Sequence, residues 1–175
     1  MKEVLLKDQV VTDDYALYCG DCVEVAMGLP ENSADITVYS PPFFELYVYS
    51  DDPKDMNNSA NYSQFKQHYE FLLKEIKRIT KPGRIIAVHC MDLPIQKGKE
   101  GYIGLRDFSG DIIKMHQDAG MIYHSRVTIW KNPVTEMQRT KALGLLHKTI
   151  KKDSSMTRVG IPDYVLFFRN EGENE

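Results

Sequence analysis

The stretch ADITVYSPPFF, residues 34–44, sets an apolar run directly against two prolines and two phenylalanines. The run 34–39 has the continuous apolar character of a buried strand. Proline donates no ladder hydrogen bond and restricts the residue before it, so Ser40-Pro41-Pro42 ends that strand. The strand therefore opens into a stiff loop from which Phe43 and Phe44 hang.

Working outward, YALYCGD (15–21) reads as a short strand, followed by one or two helical turns from Cys22 with Asp21 as N-cap and a stop at Gly28 and Pro30. Residues 45–63 are polar and turn-rich, the pattern of a mobile loop. Phe65, Tyr69, Leu72, Leu73, Ile76 and Ile79 recur every three or four residues, which predicts one apolar stripe on a helix over 62–79. Lys81-Pro82-Gly83 should stop that helix, and RIIAVHC (84–90) reads as the next buried strand. A helix over 111–120, a strand over 121–131, a basic helical stretch over 134–152 and a last strand over 163–169 follow. Strands alternating with helices predict an α/β fold with a mostly parallel sheet and helices on both faces. The 175 residues are expected to form a single domain interrupted by a basic insertion at about 132–162.

Composition narrows the classes. A content of 42% hydrophobic and 27% charged residues is ordinary for a globular domain. No apolar run reaches the roughly 18 residues of a membrane span, and MKEVLLKDQVV lacks a signal-peptide core, so a cytoplasmic location is expected. Three cysteines (Cys19, Cys22, Cys90) do not suggest a disulfide framework, and Cys90, on a predicted strand, reads as a buried core thiol. The histidines and cysteines show no metal-ligand spacing. A net charge of −3 advertises no basic face for duplex DNA, so any nucleic-acid contact has to use a local patch.

In open α/β sheets ligands bind at the carboxyl ends of strands, where Ser40-Pro41-Pro42-Phe43 sits. The prolines aim backbone carbonyls in a set direction, Ser40 adds a side-chain acceptor, and Phe43 offers a flat apolar face. Such a loop suits a planar ring with an exocyclic amino group. Accepting both amino hydrogens localises the nitrogen lone pair, which can then attack an electrophilic methyl group. As a bare tetrapeptide the motif more often means a loop stiffener beside core aromatics, and its place after a buried strand favours the chemical reading.

With these residues in place, LYCGDCVEVAMGLPENSADITVYSPPFF resembles the start of the amino-directed DNA methyltransferases, whose catalytic motif [D/N/S]-P-P-[Y/F/W] is matched at every position by Ser40, Pro41, Pro42 and Phe43. The similarity continues through YEFLLKEIKRITKPGRIIAVHC, DIIKMHQDAGMIYHSRVTIWKNP and DYVLFFRN, roughly residues 15–170. It implies a Rossmann-like methyltransferase fold and methylation of adenine N6 or cytosine N4 in DNA from S-adenosyl-L-methionine, the setting of restriction-modification. Ser40 and the Pro41 carbonyl would hold the amino group, Phe43 would stack on the flipped base, and Asp21 would contact the cofactor adenine.

The resemblance also implies a glycine-rich cofactor loop, F-x-G-x-G after a strand, and the chain has none. GYIGLRDFSGD (101–111) has the wrong spacing and reads as a loop leading to a helix. The chain thus reads as the SPPF half of a permuted enzyme. It is expected to be inactive alone and to bind the cofactor weakly, with a second chain or a missing C-terminal half completing the site. Arg139, Lys141, Lys148, Lys151 and Lys152 form either a solvated helix face or a phosphate-contacting patch. Two other readings stand beside this one: a non-catalytic nucleic-acid-binding remnant of the same fold, and a thiol-redox protein built on Cys19-Gly20-Asp21-Cys22.

Overall fold

The computed structural model describes residues 6–174 except 45, 47, 48, 96, 103 and 141–160. Strands β1 (Leu6–Val11) and β2 (Ala16–Gly20) form an antiparallel hairpin, and helix α1 (Cys22–Gly28) leads to β3 (Ala34–Tyr39). Helix α2 (Tyr62–Ile79) precedes β4 (Thr80–Met91), and the short β5 (Leu93–Ile95), α3 (Lys97–Glu100) and β6 (Gly104–Arg106) lead to α4 (Phe108–Asp118). Strand β7 (Ile122–Ile129), helix α5 (Pro133–Thr140) and β8 (Asp163–Arg169) complete the order.

Local chemistry sets the helix boundaries. Asn61 caps α2 by accepting the Gln64 N–H at 2.9 Å, and Asp107 caps α4 by accepting from Gly110 at 2.7 Å. All six residues of the predicted α2 stripe are buried. Asp21 caps α1, accepting the Glu24 N–H at 2.9 Å. Lys81-Pro82-Gly83 lies inside β4 rather than between elements, as an irregularity where pairing jumps from Ala34–Thr80 to Ile36–Ile85. Gly83 there has φ of +72°, and a Cβ would meet the Asn174 backbone at 2.7 Å, so glycine is required on both counts.

The main sheet has the order β3-β4-β8-β7. The α/β class holds, but the expected mostly parallel sheet does not: β3–β4 is parallel, whereas β4–β8 and β7–β8 are antiparallel. Among the described residues the helices that pack on this sheet, α2 and α4, share one face. One face presents Tyr39, Ile86, Val88, Cys90, Leu166 and Phe168 to Phe65, Tyr69 and Leu73 of α2 and Phe108 and Ile112 of α4, forming a single core. Along the same strands the alternate residues face the other way, and Ile36 (61% exposed), Val38 (69%), Val127 and Ile129 stand open on that face. The run 34–39 is therefore half-buried and lies at a sheet edge.

The loop expected to be mobile is pinned in its described part. Asp55 accepts from Ser50 N–H at 3.1 Å and Asn57 N–H at 3.0 Å, and Asn58 donates to the carbonyls of Ser50 and Asp52. Met56, on the short 3-10 turn there, is buried in the core. Among the described residues no helix is long and apolar enough to cross a membrane.

Candidate functional site

The loop after β3 divides its two phenylalanines between structure and surface. Phe44 is 6% exposed and packs on Tyr62 and Phe65, with ring centroids 5.2 and 5.6 Å away. Phe43 is half-buried, edge-on to Phe108 at 6.1 Å and tilted to His89 at 6.2 Å. Pro41 is buried, Pro42 and Phe43 are partly open, and Ser40 is exposed at the carboxyl end of the parallel pair.

Ser40 does not stand alone. In the parallel register Tyr39 lies beside Val88, which brings the next residues, Ser40 and His89, together across the strands. The Ser40 hydroxyl lies 3.1 Å from the His89 carbonyl, to which it donates, and 3.4 Å from His89 Nδ1. His89 Nε2 is 3.2 Å from Asp163 Oδ2, at the start of β8, and Lys131 Nζ sits 2.5 Å from Asp163 Oδ1. The line Ser40–His89–Asp163–Lys131 crosses one end of the sheet from β3 to the residues after β7. An Nε2–H tautomer fits this line: the ring donates to Asp163, and Nδ1 is left as a second acceptor near Ser40 Oγ, whose one proton goes to the His89 carbonyl in this geometry.

Behind the loop a second polar chain holds β3 in place. His116 Nδ1–H donates to the Ile112 carbonyl at 2.7 Å, so Nε2 accepts from the Tyr39 hydroxyl at 2.8 Å, and Tyr39 in turn accepts from Tyr69 at 2.7 Å. His116 is fully buried and stacked on Phe168 at 4.0 Å. Burial pushes its pKa down to about 4, keeping it neutral, and burial raises the Tyr39 and Tyr69 phenols. Tyr39 thus anchors the backbone next to Ser40.

Asp21 and Pro42 line one cavity of about 240 Å³ together with Gly20, Cys22, Asp52 and Lys54, and Lys54 is paired with Glu24. The capping bond of Asp21 occupies its Oδ1. Cys19 and Cys22 are free thiols, and packing around the sulfur, with the Asp21 carboxylate beside it, pushes Cys22 up. A redox pair works through a lowered thiol pKa, and Cys22 is shifted the other way. Cys90 is a buried core thiol as expected, raised to about 12 by burial.

Of the candidate DNA-contacting residues, Arg139 falls in α5, and Lys141, Lys148, Lys151 and Lys152 lie outside the described residues. Sequence reasoning missed His89, Asp163 and Lys131. The available signal was positional: His89 is near the end of a strand predicted beside the Ser40 strand, and Asp163 opens the last one.

No family model and no curated protein matches the chain. Solved structures do. A Thermus thermophilus protein provisionally named a DNA modification methylase, complexed with S-adenosyl-L-methionine, superposes with a TM-score of 0.60 at 21% identity, covering 89% of this chain and 53% of that one. The cytosine-N4-specific PvuII DNA methyltransferase superposes with a TM-score of 0.57 at 16% identity, covering 87% of this chain and 48% of that one. The chain has the Rossmann-like α/β fold of methyltransferases and spans about half the length of these solved structures.

Proposed function

We propose that this chain supplies the amino-group-binding half of an S-adenosyl-L-methionine-dependent DNA methyltransferase acting on adenine N6 or cytosine N4. The observation that carries the reading is the SPPF loop at the carboxyl end of β3, with Ser40 exposed and Phe43 half-open beside it. Ser40 and the Pro41 carbonyl accept the amino hydrogens of a flipped base, and Phe43 stacks on its ring. Unstacking that base costs a few kcal/mol, which the aromatic contact helps offset. The bound cofactor supplies the electrophilic methyl group.

The residues present fit only part of that cofactor. The cavity beside Asp21 and Pro42 holds about 240 Å³, below the roughly 300–1,000 Å³ of ordinary small-molecule sites. Asp21 is proposed to meet the cofactor adenine, and the sequence has no glycine-rich loop of the F-x-G-x-G type to face it. A second polypeptide, or further sequence of the same one, completes the site in this reading. Three features support it: the exposed residues Ile36, Val38, Val127 and Ile129 on one face, the outer edge of β3, unpaired among the described residues, and the double length of the similar structures. Lys141, Lys148, Lys151 and Lys152, with Arg139, are proposed to contact phosphates.

Mapping methylated bases in the genome of the source strain with and without the gene tests the proposal. Loss of one N6-adenine or N4-cytosine motif on deletion is expected, and an unchanged methylome contradicts it. A binding-only remnant would leave the methylome unchanged while the purified chain still bound DNA.

A further inference from the structure

We propose that His89, held by Asp163, is the terminal acceptor of the proton that the target amino group loses, received through the Ser40 hydroxyl. The inference rests on the methyltransferase reading above and adds a role to a residue outside the SPPF motif.

The chemistry requires an outlet. When the amino nitrogen's lone pair takes a methyl from a sulfonium donor, the C–S electrons stay on sulfur and the nitrogen is left cationic with one proton to lose. A serine hydroxyl can accept a hydrogen bond from that N–H, but it cannot keep the proton. Ser40 can only pass it on: the N–H bond breaks with its electrons on nitrogen, the proton goes to Oγ, and the hydroxyl's own proton leaves for a neighbour. Two acceptors lie within reach of Oγ, the His89 carbonyl at 3.1 Å and His89 Nδ1 at 3.4 Å. An amide carbonyl is not a Brønsted base that can keep the proton; an imidazole nitrogen is.

Asp163 turns the ring into an acceptor on the required side. Its Oδ2, 3.2 Å from Nε2, selects the tautomer that leaves Nδ1 unprotonated, and its carboxylate faces the imidazolium that forms. Lys131 holds the other carboxylate oxygen from the residues after β7, and Asp163 is only 15% exposed. The His89 ring is 39% exposed, which gives the received proton a way out to solvent. His89 therefore acts through Ser40 without touching the base.

Two measurements test this, one independent of turnover. Long-range ¹H–¹⁵N spectra of the labelled 175-residue chain should show the neutral His89 ring protonated on Nε2, with Asp163→Ala shifting the population towards Nδ1–H. A wild-type ring protonated on Nδ1 overturns the proposal, because that nitrogen could then only donate to Ser40. In the gene-deleted strain, His89→Asn keeps a hydrogen-bonding atom near the Nδ1 position but cannot take up a proton. At limiting expression it should restore less than about a tenth of the wild-type motif methylation, in the range of a lost acid–base group. Restoration of half or more by His89→Asn overturns the relay alone. Failure of the wild-type gene to restore any methylation overturns the methyltransferase reading and the relay with it.

Discussion

Phe43 and Phe44 are adjacent in sequence but have different work, and truncation should separate them. Phe44 is 6% exposed within the core cluster, so Phe44→Ala should lower unfolding stability by about 3–5 kcal/mol in urea titrations. Phe43→Ala should cost less than about half of that, since part of its ring is already in water, while abolishing methylation in complemented cells. The SPPF loop was legible because its chemistry is local: two prolines, one hydroxyl and two rings within five residues. His89 and Asp163 were not, because they lie 49 and 74 positions from their partners and meet only once strand order and register are known.

The elements that read best from sequence are those whose signal lies in their own period. Helix α2 repeats at three and four residues and buries its whole predicted stripe, and β8 has the bounds its apolar run predicted. Strand direction has no such signature, since an apolar run pairs parallel or antiparallel, and two of the three sheet pairings proved antiparallel. The hairpin strand β1 was missed because Val10 and Val11 point to solvent and set up no core alternation. The buried chain Tyr69–Tyr39–His116 ties β3 to α2 and α4, and two outcomes follow. Tyr39→Phe leaves His116 Nε2 without a donor and Tyr69 without its acceptor, and should cost about 1–3 kcal/mol by chemical denaturation. The pKa of His116 is depressed in the fold, so the unfolded chain binds its proton first. The contribution to stability is complete above pH 6.5 and is lost as pH falls to about 4. Over that window stability should drop by about 3 kcal/mol from this group, and His116→Phe should flatten the dependence.

For the molecule as a whole, the open sheet face is what the sequence concealed. The alternation of Ile36 and Val38 with Thr37 and Tyr39 makes both faces of β3 apolar, which reads as burial on both sides. Ile36 and Val38, on one of those sides, are nonetheless 61% and 69% exposed. Val38→Lys should change stability of the isolated chain by no more than about 0.5 kcal/mol, being 69% exposed, yet it should abolish methylation if a complementary segment covers that face. Calorimetric titration of the isolated chain with S-adenosyl-L-methionine should show no binding in the micromolar range, in keeping with a cavity of about 240 Å³. The central claim, that the SPPF loop binds the amino group to be methylated, is tested most directly by complementing the gene-deleted strain with Ser40→Ala and with wild type. Wild type should restore one N6-adenine or N4-cytosine motif and Ser40→Ala, folded and expressed equally, should not; equal restoration by both would contradict the claim.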